Sequence, residues 1–185
     1  QTATAAQNAR LYEEARLYKD AFNSAVEPVT ITDLQTRILD VNPAFERVTG
    51  FSREEVIGQK PGIIKSQHTT LDFYRAMWEQ ILSQGYWSGE LVNQRKQGEE
   101  WHSQLTISTV RDERGRPVAY VGVNRDITER KRHEREREAI LTIAASLRTA
   151  TTRKEMLPII LDQAMDLLQV EAAVLAMRDP VTGET

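Results

Sequence analysis

A chain of 185 residues, 40% hydrophobic and 28% charged, has enough apolar material for one compact domain with flanking helices, which excludes a disordered polypeptide. Its net charge of −3, without a long basic run, offers nothing to a phosphate backbone and excludes nucleic acid as a partner. The absence of cysteine removes disulfides, thiolate metal sites, iron–sulfur clusters and cysteine nucleophiles together and accords with a cytoplasmic location. No stretch reaches the roughly 18 apolar residues of a membrane span, and the first residues lack the apolar core of a signal peptide, so the segment is expected to be soluble, without direct membrane insertion.

Near the N-terminus Leu11, Ala15, Tyr18 and Phe22 fall at the spacing of a helical seam, which suits either a partner helix or the chain's own domain. Pro28 stops that helix. Val29–Thr32 and Arg37–Val41 then flank Asp33-Leu34-Gln35-Thr36 as a hairpin, and Asn42-Pro43 punctuates it. Ser52 reads as the cap of a short helical piece at Arg53–Ile57 that Gly58 ends. A longer helix is predicted from about Leu71 to Ser83, with Phe73, Met77 and Ile81 on one stripe and Tyr74 and Trp78 beside it.

Three antiparallel strands follow. Gly89–Arg95 turns at Lys96-Gln97-Gly98 into Trp101–Val110, which turns at Asp112–Gly115 into Val118–Asn124. Alternation puts Trp101, Ser103, Leu105 and Ile107 on a core face and His102, Gln104, Thr106 and Ser108 on a wet one. The same parity places Asn93 with Gly89 and Leu91, and Asn124 with Tyr120 and Gly122. The chain then enters a helix in which nine of the ten residues Glu129–Glu138 are formally charged, with Arg130 and Glu134 at favourable spacing. Such pairs are worth only about 0.2–0.5 kcal/mol each, so they keep the segment helical without fixing its partner. Ile140, Ile143 or Ala144, and Leu147 restore an apolar seam, that of a parallel two-helix linker between two chains or of one solvated helix between two domains.

Asn42-Pro43-Ala44-Phe45, Thr49-Gly50-Phe51, Gly58, Trp87-x-Gly89-Glu90, Asn93-x-x-Lys96-x-Gly98, Gly122-Val123 and Asp126-Ile127-Thr128-Glu129-Arg130-Lys131 together resemble a PAS domain. The resemblance implies an α+β fold, a five-stranded antiparallel sheet with short helices on one face and a pocket between them, flanked by N- and C-terminal signalling helices. It also implies that signal leaves through Asp126, Ile127 and Thr128. The expected organisation is a linker helix at 1–21, which resembles the end of an upstream GAF domain, a PAS sensor at 22–128, a charged signalling helix at 129–150 and the incomplete start of a GAF-like domain at 151–185.

Two carboxamides reaching one pocket suit the edge of a flavin or of another heteroaromatic with alternating donors and acceptors. In an empty core they would instead bond to backbone or ordered water. In flavin-binding light-sensing PAS domains, the LOV group, an Asn stands where Asn93 does, a Gln where Asn124 does and a second Asn where Ser103 does. The reactive cysteine of that group falls on Pro61, so light sensing by a thiol adduct is excluded. The chain is nearer to the redox-sensing, FAD-binding PAS domains of nitrogen-fixation and methane-oxidation regulators, which share the pattern Trp78, Trp87-Ser88-Gly89 and Leu91-Val92-Asn93-x-Arg95-Lys96. In that group the residues matching Thr30, Trp78 and Asn93 contact the flavin site, a pocket carboxylate falls on Pro61, and one member has a histidine where Asn124 stands.

Haem is the rival ligand, but His102 points to the wet face, His133 lies in the charged helix and His68 in a loop. No metal-ligand spacing and no nucleophile–base pair is recognisable, so the segment is not read as an enzyme. The expectation is a homodimeric sensory module of a multidomain receptor, binding FAD and relaying redox or oxygen state. A histidine kinase or a cyclic-dinucleotide enzyme would form the parent's output. The alternatives are a cofactor-free dimerisation and relay module between GAF domains, and a haem-binding gas sensor.

Overall fold

Local chemistry sets where each element begins and ends. The computed structural model describes residues 2–149 together with 157, 158, 161, 162 and 165, so all but those five positions of the expected GAF-like start at 151–185 lie outside the described residues. The chain divides into two units, Gln1–Thr128 and Glu129–Thr185. In the first, helix α1 (Thr2–Ser24) leads to strands β1 (Val29–Thr32) and β2 (Ile38–Val41), which pair as the expected hairpin. Helix α2 (Pro43–Thr49) starts where Asn42 caps it: Asn42 Oδ1 accepts from the Phe45 amide at 3.0 Å, and Pro43 supplies the first helical φ. Helix α3 (Arg53–Val56) opens with Glu55 accepting from the Ser52 amide at 2.9 Å, as the Ser52 cap predicts.

A 3₁₀ turn at Pro61–Ile64 precedes helix α4 (Leu71–Gln84), which Thr70 caps by accepting from the Phe73 amide. Gly85 ends α4 at φ 82°, a left-handed position that a side chain would strain. Strands β3 (Tyr86–Gln94), β4 (Glu100–Arg111) and β5 (Pro117–Asp126) complete the sheet, and helix α5 (Thr128–Thr149) follows directly.

All five strands are antiparallel neighbours in the order β2-β1-β5-β4-β3, so the last strand lies at the centre, between β1 and β4. The strand alternation expected for β4 holds: Trp101 and Ser103 are buried, whereas Gln104 and Ser108 are exposed. Two apolar clusters flank the space above the sheet. Ile38, Val41, Phe45, Val56 and Ile64 pack beneath α2 and α3, and Met77, Ile81, Trp87, Leu91 and Tyr120 pack between α4 and the sheet. Most of α1 takes no part: Leu11 and Tyr18 of the expected seam are 57% and 75% exposed, and Phe22 alone of its large residues is half-buried. Among the described residues, no helix is long and apolar enough to cross a membrane.

Candidate functional site

Between the two clusters the sheet and the helices enclose a cavity of about 530 Å³. That lies within the size of sites that take cofactors, about 300–1,000 Å³. Its floor is the inner face of the sheet, where strand parity delivers Thr30 from β1, Leu91 and Asn93 from β3, Leu105 from β4, and Tyr120 and Asn124 from β5. Its other side comes from the 3₁₀ turn and α4, through Pro61, Ile64, Lys65, Tyr74, Met77 and Trp78. The spacing Tyr74, Met77, Trp78 puts three side chains on one helical face.

The aromatic contacts are specific. Trp78 meets Tyr120 edge to face, with ring centroids 5.2 Å apart and planes at 71°. Lys65 Nζ lies 4.5 Å from the Tyr74 ring centroid, and burial raises the Tyr74 hydroxyl above its ordinary pKa of 10.0 despite a side-chain bond to Thr69 that acts the other way. Lys65 also bridges Asn93 through the backbone, tying this side of the cavity to β3.

The polar end of the cavity is a three-membered cluster. Asn93 Nδ2 donates to Ser103 Oγ at 3.1 Å and to Asn124 Oδ1 at 3.4 Å, and Ser103 Oγ donates to Asn124 Oδ1 at 3.1 Å. Asn93, Ser103 and Asn124 are 3%, 0% and 5% exposed. The amides therefore bond to one another, both directly and through a hydroxyl. That arrangement leaves Asn93 Oδ1 and Asn124 Nδ2 without a protein partner among the described residues, on two residues that line the cavity. An acceptor and a donor stand side by side there, open to the cavity rather than sealed in the core, where among the described residues Trp101 Nε1 is the buried side-chain atom without a partner.

Of the residues singled out from the sequence, Thr30, Trp78, Asn93 and Asn124 line one cavity. Ser103 is not part of its lining and stands behind the two amides. Tyr120, Tyr74, Lys60 and Lys65 line the cavity without having been singled out as binding residues. For Tyr120 the signal was available, since it shares strand parity with Asn124. Lys60 and Lys65 sit in the aperiodic stretch between α3 and α4, where no repeat tells which side chains face inward. Among the described residues, none of the three histidines is on the cavity lining, and His68 is instead paired with Glu100 at 3.2 Å.

The exit from the sheet is held by several bonds. The Arg95 guanidinium donates to the Val48 carbonyl and, at 3.0 Å, to Asp126 Oδ2, and lies 5.4 Å from the Trp101 ring centroid. Asp126 Oδ1 accepts from the Thr128 amide at 2.9 Å, and Thr128 Oγ1 accepts from the His102 amide at 3.0 Å. Ile127 is buried, and its amide donates to the His102 carbonyl. Partial burial pushes the Asp126 carboxyl up, but the bonds from Thr128 and from Arg95 outweigh it and hold the group below its ordinary value of 3.8.

Fold and cavity define a small α+β module with a pocket set against one antiparallel sheet. Residues 16–127 match the model of the PAS fold, and the chain belongs to the PAS family. It is 33% identical over 100 residues to a nitrogen fixation regulatory protein of Klebsiella oxytoca, covering 54% of this chain and 20% of that one. It is 32% identical over 126 residues to a bacterioopsin transcriptional activator of Halobacterium salinarum, covering 66% and 19%. A blue-light photoreceptor of Listeria monocytogenes is 27% identical over 141 residues, covering 75% and 55%. The chain thus spans about a fifth of the length of the two regulators it matches. Among solved structures, the PAS domain of a protein from Colwellia psychrerythraea superposes with a TM-score of 0.58 at 28% identity, over 62% of this chain and 98% of that one. An RNA-binding light-oxygen-voltage receptor superposes at 0.59 and 26% identity, over 63% and 34%.

Proposed function

We propose that this chain is the sensory PAS module of a larger signalling receptor, that its cavity binds FAD, and that it relays redox or oxygen state through α5. The observation that carries the reading is the unpaired acceptor and donor, Asn93 Oδ1 beside Asn124 Nδ2, at the polar end of an otherwise largely apolar cavity. A flavin edge offers the matching alternation, an N–H between carbonyl oxygens. Trp78 and Tyr120 supply flat apolar surface for a ring system, and Thr30 adds a hydroxyl on the opposite strand.

Lys60 and Lys65 line the same cavity, and neither is ion-paired among the described residues, which favours a phosphate-bearing flavin over the bare ring. Similarity to a nitrogen fixation regulatory protein and to a blue-light photoreceptor supports a signalling role. Without a cysteine the chain has no thiol for light-driven adduct chemistry, so the flavin would act through its redox state. Haem would have no histidine ligand on the cavity lining. The module works as a homodimer through its flanking helices, in the cytoplasm, between GAF-like neighbours. Any catalysis, by a histidine kinase or a cyclic-dinucleotide enzyme, belongs to the parent protein.

Asn93→Ala tests the site. Loss of the amide removes one ligand contact and unsettles the cluster, at about 1–3 kcal/mol, so purified protein should retain less FAD per chain than wild type. Undiminished FAD content would remove Asn93 from the site.

A further inference from the structure

The bonds among Asn93, Ser103 and Asn124 close a ring. A carboxamide carries its donor on one side and its acceptor on the other, whereas a hydroxyl is both at once. If both amides turn over, every contact survives with its direction reversed: Asn124 Nδ2 donates to Ser103 Oγ and to Asn93 Oδ1, and the hydroxyl donates to Asn93 Oδ1. If only one turns, two NH₂ groups or two carbonyl oxygens face each other and the ring fails. Two complete arrangements therefore exist, and they show the cavity opposite patterns: acceptor from Asn93 with donor from Asn124, or the reverse.

Sheet register puts the hydroxyl where it can serve both amides. Strand β4 lies between β3 and β5; Asn93 pairs with Trp101, Asn124 pairs with Leu105, and Ser103 is two residues from each, diagonal to both amides on the same face. Each amide lies 3.1 Å from the hydroxyl but 3.4 Å from the other amide, so Ser103 is the stronger link. All three side chains are at most 5% exposed, so a broken contact costs more there than at the surface.

We propose that Ser103 is a positioning residue that couples the two amides into one two-state unit. The cavity then accepts a heteroaromatic edge carrying a donor beside an acceptor, in either sense, and resists an edge in which only one of them has changed. This rests on the flavin reading. Reduction leaves the N–H and its two carbonyl oxygens as they are but turns the ring nitrogen beyond one of those carbonyls from an acceptor into a donor, so the change falls on the amide at that end alone, and the coupled ring favours the oxidised form. Uncoupling the ring should relax that preference.

The test is the ratio of dissociation constants for oxidised and reduced FAD, measured on the full chain as wild type, Ser103→Ala and Ser103→Thr. Ser103→Ala should move the ratio about three- to tenfold toward the reduced form, while Ser103→Thr, which keeps the hydroxyl, stays near wild type. Equal weakening of both forms in Ser103→Ala, or a Thr variant that behaves like the Ala variant, would overturn the proposal. If wild type binds neither form, the flavin reading falls by itself and ligand-free protein decides the ring. There Ser103→Ala must shift the side-chain amide nuclear magnetic resonance signals of both Asn93 and Asn124. A shift confined to one of them, or none, overturns the coupling.

Discussion

At Gly89 the missing side chain is a packing requirement. A Cβ there would lie 2.6 Å from Trp87 Cη2 and closer still to Cζ2, because the indole folds over the glycine two residues along its own strand face. Trp87 is held in that position edge to face with Phe73, ring centroids 5.6 Å apart. Gly89→Ala must therefore move the indole out of a filled cluster, and we expect it to lose about 1–3 kcal/mol of stability in chemical denaturation. A loss below a few tenths would mean that the indole relocates freely. Single residues were legible in the sequence where a strand period governs them. Asn93, Trp101 and Asn124 were placed on the inner face by counting in twos, and each is buried. The link from Ser103 to both amides was not legible, since it depends on which strands are neighbours and in what register, and no local pattern carries that.

At the scale of elements, Arg95 joins three parts of the first unit: the end of α2 through Val48, the turn after β3, and the junction of β5 with α5 through Asp126. It stands two residues beyond Asn93, in the turn just past β3, so the chain that leaves a cavity amide passes directly to the clamp on the exit. Asp126 is held below its ordinary value of 3.8, so the native state favours its ionised form. Its contribution is thus present above the unfolded value and is lost as pH falls through the lower, folded one. Wild type should melt above Asp126→Asn at pH 7, and the gap should close as pH drops below 3.8. A gap constant from neutral to acid pH would show that the charge of Asp126 contributes nothing. The helices and hairpins of this unit were readable because caps and turns announce them, as at Asn42, Ser52 and Gly58. The stretch from Lys60 to Thr70 was not, because beyond the local bonds of its 3₁₀ turn it is placed by a backbone bridge from Lys65 to Asn93 and by a side-chain bond from Ser66 to Glu100, both long-range.

For the whole molecule, the unused apolar side chains are the guide. Leu11, Tyr12, Leu17 and Tyr18 of α1 and Ile140 and Leu141 of α5 are exposed, which is what helices reserved for a second chain would show. Asn124 stands two residues before Asp126, at the end of the central strand, so a change at its amide lies close to the start of α5. If two chains pair through these helices, spin labels near Ala139 should give a distance distribution that differs between oxidised and reduced protein, and Asn124→Leu should abolish the difference without separating the chains. Identical behaviour of the variant and wild type would place the route elsewhere. All of this depends on what fills the cavity. The absorption spectrum of the purified chain is the most direct measurement. Bands near about 375 and 450 nm, the signature of oxidised flavin, are the predicted result, whereas a flat visible region or a Soret band would contradict the account.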